Sequence, residues 1–249
     1  IWVMIFPMMM QIDFASVLRV RDKPATLLLT TGINYLVKPF TMYALALLFF
    51  RVLYRGVLGG DEANEYIAGC VLLAGAPCTA MVFVWSLLMG GDGAYTLMQV
   101  ALNDLLMLAL YVPTAMLLLG VSSIPLPYDM IAIAVALFIG APLVLAWLFR
   151  AAAIRWRGEA WLRDEVVSRF KPVTIVALLA TLVLIFIFQG RTIGSKPLHI
   201  LMIAVPIILQ TCLNFGICYS VGYSICIDHP RLAPASLIAT SNFFELAVA

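Results

Sequence analysis

Residues 27–50 read LLLTTGINYLVKPFTMYALALLFF, and Lys38 is the one charged residue in that stretch. A helix of about 20 mostly apolar residues crosses the hydrocarbon core of a bilayer. The stretch therefore predicts a membrane-spanning helix, and the same rule finds seven more along the chain. The eight predicted spans are residues 1–18, 27–50, 65–89, 94–120, 129–150, 172–189, 198–227 and 233–249.

The composition favours a membrane protein over a soluble one. Hydrophobic residues make up 64% of the 249 residues and charged residues 11%, whereas soluble domains are roughly half apolar and a quarter charged. A net charge of +2 gives no reason to expect a nucleic-acid partner. The sequence carries no HExxH, GxSxG or P-loop motif, and its five cysteines form no CxxC pair. We therefore predict no enzyme, no cofactor, no zinc site and no disulfide framework.

Basic residues between the predicted spans set the orientation of the chain. The connections at 19–25, 90–93, 150–171 and 228–232 fall on one side and hold ten Lys and Arg residues, while the opposite side holds four. The side richer in Lys and Arg faces the cytoplasm. The chain begins and ends inside apolar runs, so we expect a further helix beyond each end and a cytoplasmic N-terminus for the full chain. These features predict a multi-pass protein of the cell membrane.

Two of the spans contain sequence that interrupts a helix. The third has Pro77 near its middle, and a proline inside a helix removes a backbone donor and clashes with the preceding turn. The eighth carries a polar cluster from Thr240 to Glu245, which must face protein or water. These spans are five apart, so a five-helix repeat would place its second copy upside down, with the seam in residues 121–129. Inverted repeats with interrupted helices are typical of secondary transporters, whose site lies where those helices meet.

Glu245 and Cys78 are the strongest candidates for function. A carboxylate within a membrane span is usually functional, and burial favours the neutral form of Glu245, so that it could bind and release a proton near neutral pH. The alternative is that Glu245 lies at a hydrated helix end. A free cysteine is more often a small buried hydrophobe, but Cys78 follows Pro77, where a helix break frees backbone groups and opens space around the thiol.

Four other polar residues are candidates, and three of them have two interpretations each. Asn103 and Asp104 lie within the fourth span. Asp104 is either a proton or ion site or the partner of Lys38 in an architectural buried pair. Ser241 and Asn242 either bind a hydroxyl of a substrate or hydrogen-bond to another helix.

Four stretches resemble the arsenite efflux permeases of the arsenical-resistance type, in the bile acid/arsenite/riboflavin transporter superfamily. They are residues 38–45 (KPFTMYAL), 75–86 (GAPCTAMVFVWS), 99–104 (QVALND) and 241–247 (SNFFELA). The resemblance implies an all-α membrane protein of ten helices in two inverted halves of five. It implies a panel domain and a core domain, with two broken helices that cross. Residues 1–120 would be helices two to five and residues 121–249 helices six to nine, so about eight helices are present.

The resemblance further implies that the chain moves arsenite, and in some family members antimonite, outward in exchange for protons. The family's functional cysteine and glutamate match Cys78 and Glu245. Arsenite near neutral pH is an uncharged trihydroxide whose arsenic atom has affinity for thiolate sulfur. Our hypothesis is that Cys78 contacts arsenic and that Glu245 exchanges protons. The remaining hydroxyls would bind to Ser241, Asn242 and Asn103.

Two alternatives stay open from the sequence. A sodium-coupled importer of organic anions, from the bile-acid branch, would use Asn103, Asp104 and Glu245 as oxygen ligands and would not require Cys78. A membrane-embedded sensor would bind its ligand without moving it. A sodium-dependence assay separates the first alternative, and resistance of an arsenite-sensitive host separates the second. The sequence gives no prediction of the oligomeric state.

Overall fold

The computed structural model describes residues 2, 6, 10, 24–75, 77, 82–121, 133 and 136–242. Every regular element among these residues is helical, which confirms the all-α prediction. Helix α1 is Pro24–Leu53 and contains two π-helical segments, Ile33–Val37 and Leu47–Leu53. The other helices are α2 (Gly60–Ala74), α3 (Val82–Leu88), α4 (Gly93–Val121), α5 (Ala141–Trp161), α6 (Ser168–Ser195), α7 (Pro197–Ser224) and α8 (His229–Thr240). Two more π-helical segments, Ala136–Gly140 and Leu162–Val167, flank α5.

Two helices in the described part of the chain, α1 and α7, are long and apolar enough to cross a membrane, and the two arms of α4 together make a third. The arms Tyr95–Met107 and Ala109–Gly120 meet at 56°. Pro113 lies inside α4, and a proline ring clashes with the carbonyl four residues earlier, here that of Ala109, which accounts for the bend. The three helices match three of the predicted spans to within a few residues, and the total of eight stays a prediction.

Both predicted helix interruptions are present. Helix α2 ends at Ala74, Pro77 is not helical, and α3 begins at Val82. Helix α8 ends at Thr240 because Ser241 is extended, with φ −70° and ψ 141°. The segments that carry Cys78 and Glu245, residues 78–81 and 243–249, lie outside the described residues, as does the predicted seam after Val121.

The short helices α3 and α8 pack against each other and run in opposite directions. Val82 at the start of α3 belongs to the same apolar cluster as Ile238 near the end of α8. At the other end of the pair, the Asp92 N–H donates to the carbonyl of Pro230 at 2.7 Å. The start of α3 and the end of α8 therefore lie at the same level of the bundle.

Connections that the topology prediction assigned to a common side do meet. Lys196, between α6 and α7, forms an ion pair at 3.0 Å with Glu62 at the start of α2. The hydrogen bond and charge of Lys196 lower the pKa of Glu62, and Glu62 raises the pKa of Lys196. The connections at 90–93 and 228–232 meet at the opposite end of α7 through the Asp92–Pro230 hydrogen bond.

The bundle interior is divided into an apolar part and a polar part. In the apolar part, buried side chains of α1, α2, α4 and α7 pack together, among them Phe50, Ile67, Leu119 and Met202. In the polar part, α1, α4, α7 and α8 bury hydroxyl, amide and ammonium groups. The polar part lies beside the end of α8, so the fold places it where the two interrupted helices meet.

Candidate functional site

Helix α1 supplies one wall of the polar interior. Thr26, Thr30, Asn34 and Lys38 recur at every fourth position and are all buried. Large apolar residues of the same helix point outward, with Leu28 at 70% and Leu36 at 72% exposed. Helix α1 is thus polar inside and apolar outside, the arrangement expected of a span that faces lipid on one side and a polar interior on the other.

A π-helical turn immediately precedes Lys38. The Lys38 N–H donates to Ile33 O, five residues back, across the segment Ile33–Val37. Pro39 follows and has no N–H to donate to Tyr35, so a regular α-helical ladder cannot continue through this point. A π turn takes more residues than an α turn. The wider turn helps to keep Asn34 and Lys38 on the same inward face.

Helix α4 pairs with α1 through amide groups. Asn34 Nδ2 donates to Asn103 Oδ1 at 2.9 Å, and Tyr35 Oη donates to the Asn103 carbonyl at 3.0 Å. Asn103 Nδ2 donates to the carbonyl of Gln99 at 2.8 Å, one turn earlier in α4. Gln99 Nε2 donates to Thr30 Oγ1 at 3.3 Å. In this conformation both polar groups of the Asn103 side chain therefore have protein partners.

Helix α7 forms a further wall around the backbone of Lys38. Gln210 and Asn214 are fully buried. Gln210 Nε2 donates to the Lys38 carbonyl at 3.5 Å, and Thr41 Oγ1 donates to the same carbonyl at 3.0 Å and to Asn214 Oδ1 at 3.3 Å. Helix α7 thus packs against the turn of α1 that contains Lys38.

The ammonium of Lys38 reaches the end of α8. Lys38 Nζ donates to the carbonyl of Ser241 at 2.6 Å, and the Lys38 side chain is fully buried. The sequence had suggested Asp104 as one partner for Lys38. The structure describes the helical backbone of Asp104 but not its side chain, and it gives Lys38 a backbone partner that the sequence analysis did not consider.

The end of α8 satisfies its own last carbonyls. Thr240 Oγ1 donates to Ser236 O at 3.1 Å and to Leu237 O at 3.0 Å. Ser241 Oγ donates to Ile238 O at 2.9 Å. Beyond them, the buried Oδ1 of Asn242 has no hydrogen-bond partner among the described residues. An acceptor in that position is available to a hydroxyl donor.

The predicted site residues separate into three groups. Ser241 and Asn242 lie together at the end of α8, beside Lys38. Asn103 lies on α4 and is linked to this region through Asn34 and α1. Cys78 and Glu245 lie outside the described residues, and the nearest described residues to Cys78 in the chain are Pro77, which is buried, and Val82. The structure therefore leaves the roles of all these residues as proposals.

The sequence analysis missed four amide residues of the polar interior: Asn34, Gln99, Gln210 and Asn214. Each lies four positions from another buried polar residue within an apolar span, as in Gln99 with Asn103 and Gln210 with Asn214. Residues four apart share a helix face. The repeat of polar residues at this spacing is the signal that could have identified them.

A protein-family model matches this chain. The model described as the sodium bile acid symporter family matches residues 1–196. That range contains α1 to α6, so it covers two walls of the polar interior.

Several relatives match almost the whole chain. The arsenical-resistance protein Acr3 of Alkaliphilus metalliredigens is 45% identical over 249 residues, which is all of this chain and 70% of that protein. An uncharacterised transporter of Synechocystis is 39% identical over 255 residues, or 99% of this chain and 67% of that protein. The Acr3 of Corynebacterium glutamicum is 26% identical over 256 residues, or 99% of this chain and 66% of that protein.

Proposed function

This chain belongs to the sodium bile acid symporter family, and we propose from that premise that it exports arsenite from the cell. It is a helical membrane transporter and not an enzyme. The observation that carries the arsenite proposal is the 45% identity, along the entire chain, to a protein named for arsenical resistance. Antimonite is the second substrate that we propose.

The polar interior supports a small, uncharged, hydroxyl-rich substrate. Its described walls are mainly amides and hydroxyls, from Asn34, Asn103, Asn214 and Thr41. Such groups exchange hydrogen bonds with a trihydroxide without the desolvation cost that a buried ionic partner would add. The buried Oδ1 of Asn242, which has no partner among the described residues, would accept from one arsenite hydroxyl, and Ser241 and Asn103 would bind the others.

We propose that the Cys78 thiol makes the arsenic contact. A sulfur–arsenic bond forms as one arsenic–oxygen bond breaks, and the displaced hydroxyl leaves as water with the thiol proton. One such bond is reversible, which suits a carrier that must release its substrate. Support comes from Val82, four residues after Cys78, which lies beside Ile238 near the end of α8. The described residues next to the two motif segments therefore lie at the same level of the bundle.

We propose that Glu245 couples transport to protons. Glu245 follows Thr240, the last residue of α8, by five positions. A carboxyl group near an interrupted helix would bind a proton from one side and release it to the other as the core rocks against the panel.

In the same framework, residues 1–120 and 121–249 are the two inverted half-repeats. The chain would lie in the cell membrane with the N-terminus of the full chain in the cytoplasm.

Arsenite uptake into everted membrane vesicles tests the proposal. The full-length protein should accumulate arsenite when a proton gradient is imposed, and Cys78→Ser and Glu245→Gln should each abolish uptake while the protein still purifies as a folded species. Cys212→Ser is a matched control because Cys212 is exposed on α7. Wild-type uptake rates in either site variant would refute the assignment of that residue.

The description of the matching family favours a second candidate, a sodium-coupled symporter of organic anions. That transporter would require sodium in the medium and would use Asn103, Asp104 and Glu245 as oxygen ligands. Uptake of arsenite that is unchanged when sodium is replaced by choline supports the first proposal. Sodium-dependent uptake of a bile acid would support the second.

A further inference from the structure

Lys38 carries a charged group near the middle of the membrane-spanning helix α1, where a lipid bilayer accepts charge least readily. It follows the first residue of the 30-residue span α1 by 14 positions, or about 21 Å of helix from that end, and its side chain is fully buried. The side chain is too short to reach either membrane surface by extending along the helix. A lysine at this depth is costly to insert into a bilayer, so the protein must supply a specific partner.

One partner is the unwound backbone at the end of α8. The 2.6 Å separation of Lys38 Nζ and Ser241 O is at the short limit of hydrogen bonds with a charged donor. Ser241 is also the residue that follows the C-terminal turn of α8, where the helix dipole presents its negative end. The carbonyls of Ser236, Leu237 and Ile238 accept from Thr240 and Ser241, so Lys38 binds a carbonyl beyond the capped turn.

The position is one that transporters use for a coupling cation. Unwound carbonyls and the C-terminal ends of interrupted helices coordinate sodium or protons in secondary transporters. Here a covalently attached ammonium holds that position. The carbonyl of Lys38 also accepts from Thr41 and Gln210, so the same residue connects α8 to α1 and α7.

We propose that Lys38 is a built-in cation that replaces a bound alkali ion at the end of α8. This role deepens the proposed function and rests on it, because the uptake measurement below requires that the chain transport arsenite. It identifies Lys38 as a positioning residue that holds the interrupted helix beside the polar interior. It also predicts that this position requires no sodium, whereas a chain without the ammonium would bind a small cation there.

The test is cation rescue of Lys38→Ala in the full-length protein. The melting temperature of purified protein is measured in sodium, lithium, methylammonium and choline chloride at one ionic strength. Arsenite uptake is measured in the sodium, lithium and choline salts, because methylamine would dissipate the proton gradient of the vesicles. The wild type should melt equally in all four salts and transport equally in the three. Lys38→Ala should lose at least ten-fold in uptake in choline. Methylammonium or sodium should raise the melting temperature of Lys38→Ala, and sodium should restore several-fold of its uptake.

Two further variants keep the result decisive. Lys38→Met fills most of the same volume without the charge, so it should be inactive and unresponsive to every cation. Lys196→Ala removes an exposed lysine and should transport at the wild-type rate. Its melting temperature should be only slightly lower, from loss of the ion pair with Glu62, and should be the same in every salt. The inference is overturned if Lys38→Met transports at the wild-type rate, if the melting temperature of Lys38→Ala is the same in methylammonium or sodium as in choline, or if the wild type itself is stabilised by sodium. Failure of the wild type to transport arsenite would instead refute the proposed function, and the melting series would still decide the role of Lys38.

Discussion

A methyl group added at Gly222 should force α7, α8 and α1 apart. A Cβ at Gly222 would lie 2.1 Å from Leu232 Cδ1 in α8 and 3.1 Å from Leu29 Cδ2 in α1. Non-bonded carbon atoms prefer about 3.5–4.0 Å, so Leu232 would have to retreat by roughly 1.4 Å or more. Leu232 is 1% exposed and has little room to do so. Overpacking of this kind costs about 1–3 kcal/mol.

Gly216→Ala is the matched control for Gly222→Ala. Gly216 lies in the same helix, and a Cβ there would meet nothing within 4 Å. Both substitutions gain the same helix propensity, about 1 kcal/mol, so the difference between them isolates the contact with Leu232. Thermal unfolding of the detergent-purified protein should rank Gly222→Ala below wild type and Gly216→Ala at or above it. Equal melting temperatures for the two variants would show that α7 and α8 do not pack as described.

Three further results follow from the contacts described. A double-mutant cycle of Asn34→Leu and Asn103→Leu, measured by thermal unfolding, should give a coupling energy of about 0.6 kcal/mol and not above about 1.7 kcal/mol; additive effects would mean that the two amides do not meet. Asn242→Ala should raise the KM for arsenite about 2- to 10-fold, the value of one hydrogen bond, with no change in melting temperature, and an unchanged KM would remove Asn242 from the site. Glu62→Gln should lower the melting temperature slightly at neutral pH, since the exposed pair with Lys196 contributes little, and the difference should vanish as acid protonates Glu62, whose folded-state pKa is lowered. A difference that does not shrink as the pH falls below the usual pKa of a glutamate would contradict this origin.

Features set by local sequence were predictable. The apolar run at 27–50 anticipated α1, which is Pro24–Leu53, because the length of a span is dictated by bilayer thickness. Pro77 anticipated the interruption between α2 and α3, because proline acts on the turn that precedes it. The polar cluster after Thr240 anticipated the end of α8.

Features set by long-range packing were not predictable. The sequence analysis considered Asp104 for Lys38 because opposite charge is the usual partner of a buried ammonium. The structure adds a partner that the sequence does not indicate, the Ser241 carbonyl, which lies 203 residues away in the chain, and a backbone carbonyl has no signature in the sequence. The pairing of Lys38 with Asp104 stays a prediction. The link between Asn34 and Asn103 depends in the same way on how α1 and α4 pack. The sequence shows polar residues at every fourth position of α1. It does not show whether that face of the helix packs against the rest of the bundle.

The meeting of the two motif segments is most directly tested by crosslinking Cys78 to a cysteine introduced as Glu245→Cys. A protease site in the connection 150–171 would separate the two halves unless a short bis-maleimide joins them. Phe188→Cys, exposed on α6 in the second half, is the negative control. The other four cysteines would first be replaced by alanine: Cys70, Cys212, Cys218 and Cys226. We expect the two halves to remain joined in the Glu245→Cys protein, with arsenite slowing the reaction of Cys78. Separation of the halves to the same extent as in the Phe188→Cys control would contradict the account.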